Sequence, residues 1–212
     1  MPSRDKQIPL PAASADKKSS DPYNERILEA ARELIKMHGL QNVSMYSIAK
    51  RAGIGQGSLY RRFTDKGEIC SALLLESTSR FLTELEQGWK ESFIDRTALE
   101  GLQNCIEQVI HFIDQHAELL HLIKSEFVGK KQLTQFEHPL FQRMSVIMTD
   151  LLSQAADNGE IVDIDPHFTV TALLAVLSPD TYVYQQKAYG SSQADITKGI
   201  LTLFVDGLSK NK

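Results

Sequence analysis

The apolar residues of this 212-residue chain recur every three or four positions along most of its length, and runs that alternate apolar and polar residues between hairpin turns are almost absent. The first spacing is typical of amphipathic helices, whereas alternation is typical of half-buried strands. We therefore expect an all-α protein. After a first helix that begins at Asp21-Pro22 and is closed by Gly39, the predicted segments are 45–51, 56–62, 66–88, 97–115, 118–129, 137–157, 166–177 and 181–208, the last interrupted near Gly190.

Residues at the two ends of the first segment support its limits. Asp21 can accept the free backbone N–H groups of a first turn, and Pro22 fits the first helical position because proline lacks the donor that would be unpaired there. Gly39 is suited to close the helix. Residues 1–20 mix Pro, Ser, Ala and Lys without periodic apolar positions, so we expect a flexible N-terminal arm.

The composition is that of an ordinary globular protein, because 42% of the residues are hydrophobic and 24% are charged. The net charge of −4 argues against a generally basic nucleic-acid-binding protein. The charge is unevenly placed, however. Residues 1–70 hold twelve Lys and Arg against eight Asp and Glu, whereas residues 71–212 hold eleven against nineteen. This asymmetry favours a basic N-terminal module that can approach a polyanion, joined to an acidic body that a polyanion repels.

Two cysteines are too few for a disulfide framework. We expect Cys70 and Cys105 to be small buried thiols, with a redox switch as the alternative. The longest strongly apolar stretch, 168–177, is well short of the ~18–20 residues that a membrane helix needs. The first residues also lack the continuous apolar core of a signal peptide. A cytoplasmic location is the expectation.

Residues 43–63, VSMYSIAKRAGIGQGSLYRRF, have the pattern of two short helices around a tight turn. Ser44 is a good N-cap, and Gly53 stands where the turn calls for a positive φ, which glycine adopts at little steric cost. Four basic residues and no acidic one lie between Ser44 and Thr64. A helix about 10–12 Å across fits the major groove of B-DNA, which is ~12 Å wide, so the pattern predicts a DNA-binding helix-turn-helix.

The run IAKRAGIGQGSLYRRFTDKGEI closely resembles the helix-turn-helix signature of the tetracycline-repressor (TetR) family of bacterial transcription regulators. The detailed resemblance covers about residues 24–75. It implies a DNA-binding domain at 21–68, a helical ligand-binding and dimerisation domain at 69–212, and release from DNA when a small molecule binds. A repressor that acts as a homodimer on a palindromic operator is therefore expected.

Carried over by position, the resemblance also implies roles for single residues. The expected contacts to the DNA backbone come from Ser44, Tyr60 and Lys66, and the expected recognition surface consists of Gln56, Gly57, Ser58 and Arg61. Among these, Gln56 and Ser58 are expected to read bases, because an amide pairs with adenine and a hydroxyl with several bases. Lys50 and Arg51, late in the first short helix, are expected on a solvated face.

Two positions depart from the family pattern. Gly55 stands where the family usually has Ser or Thr, which removes a side-chain cap from the recognition helix. Arg61-Arg62 replaces the more common His or aromatic pair, which favours a stronger cationic grip or a contact to guanine.

Residues 69–212 contain no phosphate loop, dinucleotide fingerprint, nucleophile elbow or zinc-protease pair, so neither an enzyme nor a cofactor is expected. A set of four polar residues would share one face of a continuous helix: His111, Asp114, Glu118 and His121. A metal site there, or an enzyme that uses it, is the alternative to solvated side chains, and no metal is the expectation. The pair His116-Ala117 stands where the family typically breaks between two helices.

A helical domain of this length is expected to hold a cavity for an apolar or aromatic effector. Its aromatic residues are first of all core, but some must line such a cavity, with methionines and a histidine as adaptable or polar walls. The candidate lining residues are Trp89, Phe93, Phe112, His116, Phe127, Phe141, Met144 and Met148.

The last segments, 166–177 and 192–208, are so apolar that they are either buried within the chain or paired with a second copy of themselves, and the resemblance favours a two-fold four-helix bundle. The strongest alternative function is a module of the same fold that binds small molecules or proteins without specific DNA recognition.

Overall fold

The computed structural model of the chain describes residues 21–92, 96–127 and 139–210 and, within them, all side chains except those of residues 76, 89–92, 124–127 and 139. These residues are mostly helical, and within the described ranges there is no β-strand, only an isolated antiparallel bridge between Ile161 and Ser209. The expectation of an all-α protein is confirmed. The predicted arm at 1–20 lies outside the described residues. None of the helices described is both long and apolar enough to cross a bilayer.

The helices follow one another in a simple order, and the chain divides into two compact units between Leu73 and Leu74. The helices are α1 (Pro22–His38), α2 (Met45–Arg51), α3 (Gln56–Tyr60), α4 (Lys66–Ser92), α5 (Ala98–Phe127), α6 (Pro139–Asp157), α7 (Pro166–Val176), α8 (Pro179–Tyr189) and α9 (Gln193–Leu201), with a 3₁₀ turn at Leu40–Asn42 and a π-helical turn at Thr202–Asp206.

In the N-terminal unit, the limits of α1 agree with the prediction. The side chain of Asp21 accepts a hydrogen bond from the backbone N–H of Tyr23, Pro22 is the first helical residue, and Gly39 closes the helix at φ 75°. Gly53, in the turn between α2 and α3, has the predicted positive φ of 65°. Apolar side chains from α1, α2, α3 and the start of α4 form one core, whose most buried members are Ile27, Ala31, Ile48, Leu59 and Ile69.

In the C-terminal unit, α5 is the central helix and packs against α6, α8 and α9, while α6 also packs against α7. The core of this unit is apolar, and its fully buried members include Leu102, Ile106, Met148, Leu152 and Leu173. The predicted segments 97–115 and 118–129 meet within α5 at His116, whose φ of −125° and ψ of 15° are not helical. The expected break is therefore a kink.

Three other helix limits differ from the prediction. α3 ends at Tyr60 rather than 62, so that Arg61 is its C-cap. α4 continues to Ser92. α8 begins two residues before the predicted start because Ser178 caps it and Pro179 occupies its first position. The division of the long last segment at Gly190, which has a left-handed φ of 68°, agrees with the prediction.

Candidate DNA-binding surface and effector cleft

The N-terminus of α2 is fixed by a reciprocal pair of serines. The Oγ of Ser44 accepts from the backbone N–H of Ser47 at 3.1 Å, and the Oγ of Ser47 accepts from the N–H of Ser44 at 3.0 Å. Ser44 nevertheless remains exposed at the surface of the unit. Its predicted phosphate contact would thus come from a hydroxyl whose position is already set by the capping box.

The helix α3, predicted from the sequence to be the recognition helix, is only five residues long, and Leu59 is its one buried residue. Leu59 is fully buried, whereas Gln56 and Gly57 are exposed and Tyr60 keeps 52% of its surface accessible. Gly55 caps the helix without a side-chain hydrogen bond. α3 therefore presents one polar side toward solvent, on which three of the predicted contact residues lie.

Ser58 and Arg61 lie on the same side of this segment and contact each other. The Nη2 of Arg61 donates to the Oγ of Ser58 at 3.0 Å, and Ser58 is half-buried while Arg61 is exposed. These two predicted contacts are therefore a linked pair, in which the serine hydroxyl orients the guanidinium.

Two of the four basic residues between 44 and 64 have acidic partners within the unit. Arg51 forms an ion pair with Glu33, with its Nε 2.8 Å from Oε2, and Arg62 forms one with Asp21 at 2.9 Å. Because each carboxylate offsets a positive charge, the formal excess that the sequence shows between 44 and 64 is reduced at these two positions. Arg61, by contrast, bonds to a neutral hydroxyl.

Lys66, the first residue of α4, points into the unit. Its Nζ donates to the backbone carbonyls of Leu40 and Val43, each at 3.1 Å. An ammonium has three donors, so two of them are used by the segment that leads into α2. A phosphate contact by Lys66 stays a prediction, and the structure gives this residue a role in holding the loop before Ser44.

In the C-terminal unit, α4 and α5 border a cleft of about 600 Å³. Its floor includes Phe81 and Phe112, whose rings are stacked with centroids 4.4 Å apart, and His116 meets Phe112 edge-on at 4.7 Å. Burial lowers the pKa of His116, which favours a neutral imidazole in the cleft. Polar side chains form the rest of the lining, among them Ser77, Arg80, Glu84, Gln108, His111 and Gln115.

The candidate lining residues predicted from the sequence are spread over several places. Phe112 and His116 line this cleft. Met144 and Met148 are buried in the core of the unit, and Phe141 packs against that core. Phe93 and the side chains of Trp89 and Phe127 lie outside the described part of the chain.

The polar set proposed as a metal site on α5 is divided among different partners. Asp114 accepts a hydrogen bond from the hydroxyl of Tyr182, His121 pairs with Asp180 at 2.6 Å, and His111 bonds to the amide of Gln115. No cluster of three or more metal-ligating side chains occurs among the residues described.

Both cysteines are buried, as expected. Burial raises the pKa of the Cys105 thiol to about 12. Because the thiolate is the reactive form, burial lowers the reactivity of Cys105, which agrees with a packing role.

Sequence reasoning missed the pairing of Arg62 with Asp21 and most of the polar lining of the cleft. The spacing did contain a signal for the lining, since residues three and four apart share a helix face. Ser77, Arg80 and Glu84 follow this spacing on α4, and Gln108, His111 and Gln115 follow it on α5. The ion pair, in contrast, joins residues 41 positions apart and leaves no local pattern.

Comparisons with known proteins agree with this arrangement. Residues 27–73 match the family model described as "Bacterial regulatory proteins, tetR family". An HTH-type transcriptional regulator of Staphylococcus aureus (strain MRSA252) is 27% identical over 195 residues, which cover 92% of this chain and 99% of that protein.

Two solved structures share the fold. The transcriptional regulator FadR from Bacillus subtilis, in complex with stearoyl-CoA, superposes with a TM-score of 0.62 at 22% identity and covers 87% of this chain and 98% of its own. SmeT, in complex with triclosan, has a TM-score of 0.58 at 20% identity and covers 90% of this chain and 93% of its own.

Proposed function

Because this chain is a transcriptional regulator of the TetR family, we propose that it is a ligand-responsive repressor that binds a palindromic operator as a homodimer and leaves it when a small molecule binds. The observation that carries the proposal is the surface of α3, where Leu59 is fully buried and Gln56, Gly57 and Tyr60 face solvent. A short helix with this exposed polar side has the size and shape that the major groove admits.

The exposed residues divide into two kinds of contact. Gln56 reads a base edge through its amide, and Arg61, oriented by Ser58 at 3.0 Å, reaches a guanine or a phosphate. Ser44 and Tyr60 place hydroxyls at the level of the backbone, and Gly57 lets the DNA approach α3 closely because no side chain stands there. Phosphate contacts of this kind fix the register and carry no sequence information.

Dimerisation gives this small reading surface enough affinity. One five-residue helix buries too little area for tight specific binding, whereas two copies address two half-sites about one DNA turn apart. The C-terminal unit offers an apolar surface for pairing, since Phe168 on α7 and Leu203 after α9 keep 73% and 64% of their surfaces accessible. The two-fold bundle uses these segments.

The cleft bordered by α4 and α5 is the effector site in this proposal. Relatives of this fold bind stearoyl-CoA and triclosan, so the fold accommodates apolar and aromatic molecules. Here the stacked Phe81 and Phe112 supply an apolar floor, and Arg80 and His111 supply polar groups at the lining. If α4 has two positions, a ligand that binds one of them more tightly shifts the protein toward that position. The size of the shift is limited by the difference between the ligand's affinities for the two conformations.

The test is binding of the full-length chain to the DNA that flanks its own gene, measured by fluorescence anisotropy over a series of salt concentrations. We expect specific binding that is at least about 10³-fold tighter than binding to random duplex at the same salt. Gln56→Ala should relax the preference at one base position in a binding-site selection. Gln41→Ala, an exposed glutamine outside α3, is the matched control and should leave the selected sequence unchanged.

Equal affinity for random and flanking DNA would overturn the proposal in favour of a module that binds small molecules or proteins. An unaltered base preference in Gln56→Ala, with specific binding intact, would remove only this residue from the readout.

A further inference from the structure

The two arginines that follow α3 occupy different environments, although they are adjacent in sequence. Arg61 is exposed and bonds to Ser58. Arg62 keeps only 27% of its side chain accessible, and its Nη2 donates to the Oδ2 of Asp21 at 2.9 Å. The second arginine is therefore directed toward the start of α1 rather than toward solvent.

Asp21 uses its two carboxylate oxygens for two different elements. Oδ1 accepts from the backbone N–H of Tyr23 and caps α1, while Oδ2 accepts from Arg62, two residues beyond the end of α3. One carboxylate thus ties the first turn of α1 to the end of the recognition helix.

Tyr23 completes this contact. The guanidinium carbon of Arg62 lies 4.9 Å from the centroid of the Tyr23 ring, and that of Arg26 lies 5.7 Å from it. A cation at this distance from an aromatic ring is attracted to the negative face of the ring. Arg26 in turn donates to the carbonyl of Ala52 at 2.7 Å, in the turn between α2 and α3.

The Nε of Arg62 also lies inside the unit, away from solvent. It is buried and has no hydrogen-bond partner among the described residues. Turning Arg62 toward DNA would break the bond to Asp21 and the contact with Tyr23. The sequence alone favoured a cationic grip or a guanine contact for the arginine pair, and the geometry separates the two residues.

From these contacts we infer that Arg62 is a positioning residue, which, with Asp21 and Tyr23, locks the end of the recognition helix onto the start of α1. We call Asp21, Tyr23 and Arg62 together the Asp21–Arg62 clamp. A five-residue helix has little stability of its own, so its orientation depends on Leu59 and on this clamp. The clamp sets the direction in which Gln56 and Arg61 face the groove. This inference rests on the proposed DNA-binding function.

Removing the charge of Asp21 tests the inference. DNA affinity should fall if Asp21 positions α3, and should rise if the carboxylate only repels the DNA phosphates. Removing a carboxylate near DNA normally strengthens binding, since it removes repulsion from the phosphates. If the clamp positions α3, removing the carboxylate of Asp21 weakens binding instead. The salt dependence is a second readout, because each lost phosphate contact lowers its slope by about one unit.

The experiment compares the full-length chain with Asp21→Asn, Arg62→Gln and the double variant, on a duplex selected with the wild-type protein. Asparagine keeps a side-chain oxygen for the cap of α1. We expect each single variant to weaken specific binding by about three- to tenfold, which is the range for the net contribution of one ordinary hydrogen bond. The double variant should be no weaker than either single variant, and the salt slope should be that of the wild type.

Glu29→Gln is the matched control. Glu29 is an exposed carboxylate on α1 that pairs with Arg32 on the same helix, so its loss changes the charge equally without touching α3. We expect its specific affinity to equal or exceed that of the wild type. Arg62→Lys, which retains the charge but not the guanidinium over the Tyr23 ring, should restore part of the affinity that Arg62→Gln loses.

Stronger or unchanged binding by Asp21→Asn would overturn the inference, and so would a salt slope that falls by about one unit in Arg62→Gln. If the wild type itself fails to distinguish DNA sequences, the proposed function fails while the clamp can still be measured. In that case, thermal unfolding of the same variants tests whether Asp21 and Arg62 are coupled. If the losses of stability in the two single variants add up in the double variant, the clamp does not exist.

Discussion

The Nζ of Lys66 lies 3.1 Å from the carbonyl oxygen of Val43, the residue directly before the N-cap of α2. Through this contact and a second one to Leu40, the first residue of α4 holds the loop that delivers Ser44 to the surface. The resemblance to the TetR family implies that Lys66 contacts the DNA backbone, and the structure adds a contact inside the protein that acts whether DNA is present or not.

Lys66→Ala should therefore lower the stability of the protein in the absence of DNA. It removes a donor from two carbonyls, of which Leu40 keeps the backbone N–H of Val43 at 3.3 Å. Loss of the Lys66 donor from the Val43 carbonyl costs about 1–3 kcal/mol of unfolding free energy. Urea denaturation of the full-length chain measures the change. Lys50→Ala, at an exposed lysine of the same unit, should unfold like the wild type. Wild-type stability of Lys66→Ala, together with a salt slope reduced by about one unit, would instead mark Lys66 as a phosphate contact alone.

Gly55→Ser should stabilise the N-terminal unit by about 0.5–1 kcal/mol, because serine supplies the missing cap of α3 and reduces the freedom of the unfolded chain. The backbone at Gly55 is extended (φ −69°, ψ 146°), and a Cβ there meets no atom within 4 Å. Thermal unfolding measures whether Gly55→Ser raises or lowers the stability of the protein. Gly53→Ala is the contrasting variant: its φ of 65° strains any side chain, and the new Cβ would lie 3.3 Å from Arg26. A loss of stability in Gly55→Ser would show that the cap geometry is wrong.

Local signals in the sequence were enough to predict much of this fold. Asp21, Ser44 and Gly53 act on residues within three or four positions of themselves, and each has the predicted role in the structure. Helical spacing likewise predicted the all-α class. These features depend on nearest neighbours along the chain, which a sequence shows directly.

Features that depend on packing between distant segments were not predictable in this way. Arg62 and Asp21 are 41 positions apart, and Lys66 and Leu40 are 26 apart, so no spacing rule connects them. The end of α3 at Tyr60 is of the same kind, because the helical pattern continues beyond it in the sequence. For the cleft, aromatic residues were favoured as lining, whereas the structure puts polar residues of α4 and α5 around Phe81 and Phe112.

His116 should make the stability of the C-terminal unit depend on pH. Burial lowers its pKa below the ordinary value of 6.5, so the unfolded chain binds a proton more readily than the folded one. The contribution is fully present above about pH 6.5 and is lost as the pH falls from there toward the lowered pKa. Thermal unfolding between pH 8 and pH 5 should show a weaker pH dependence in His116→Gln than in the wild type. His167→Gln, at an exposed position of α7, controls for the loss of a histidine, and equal curves for His116→Gln and wild type would contradict the assignment.

Leu203→Asp and Phe168→Asp should each convert the proposed homodimer into a monomer. Both side chains are largely exposed in the single chain, at 64% and 73%, and a charge in an apolar interface must be desolvated without a partner. Light scattering after size-exclusion chromatography at micromolar concentration measures the mass. Two linked DNA-binding units bind more tightly than one by about 10²- to 10⁴-fold. The operator affinity of the monomeric variants should therefore fall by a factor in this range. Tyr189→Asp changes an equally exposed residue on α8 and should remain dimeric. If both variants stay dimeric, these segments are not part of the dimer interface. If the wild type is monomeric, the proposed binding of a dimer to two half-sites is wrong.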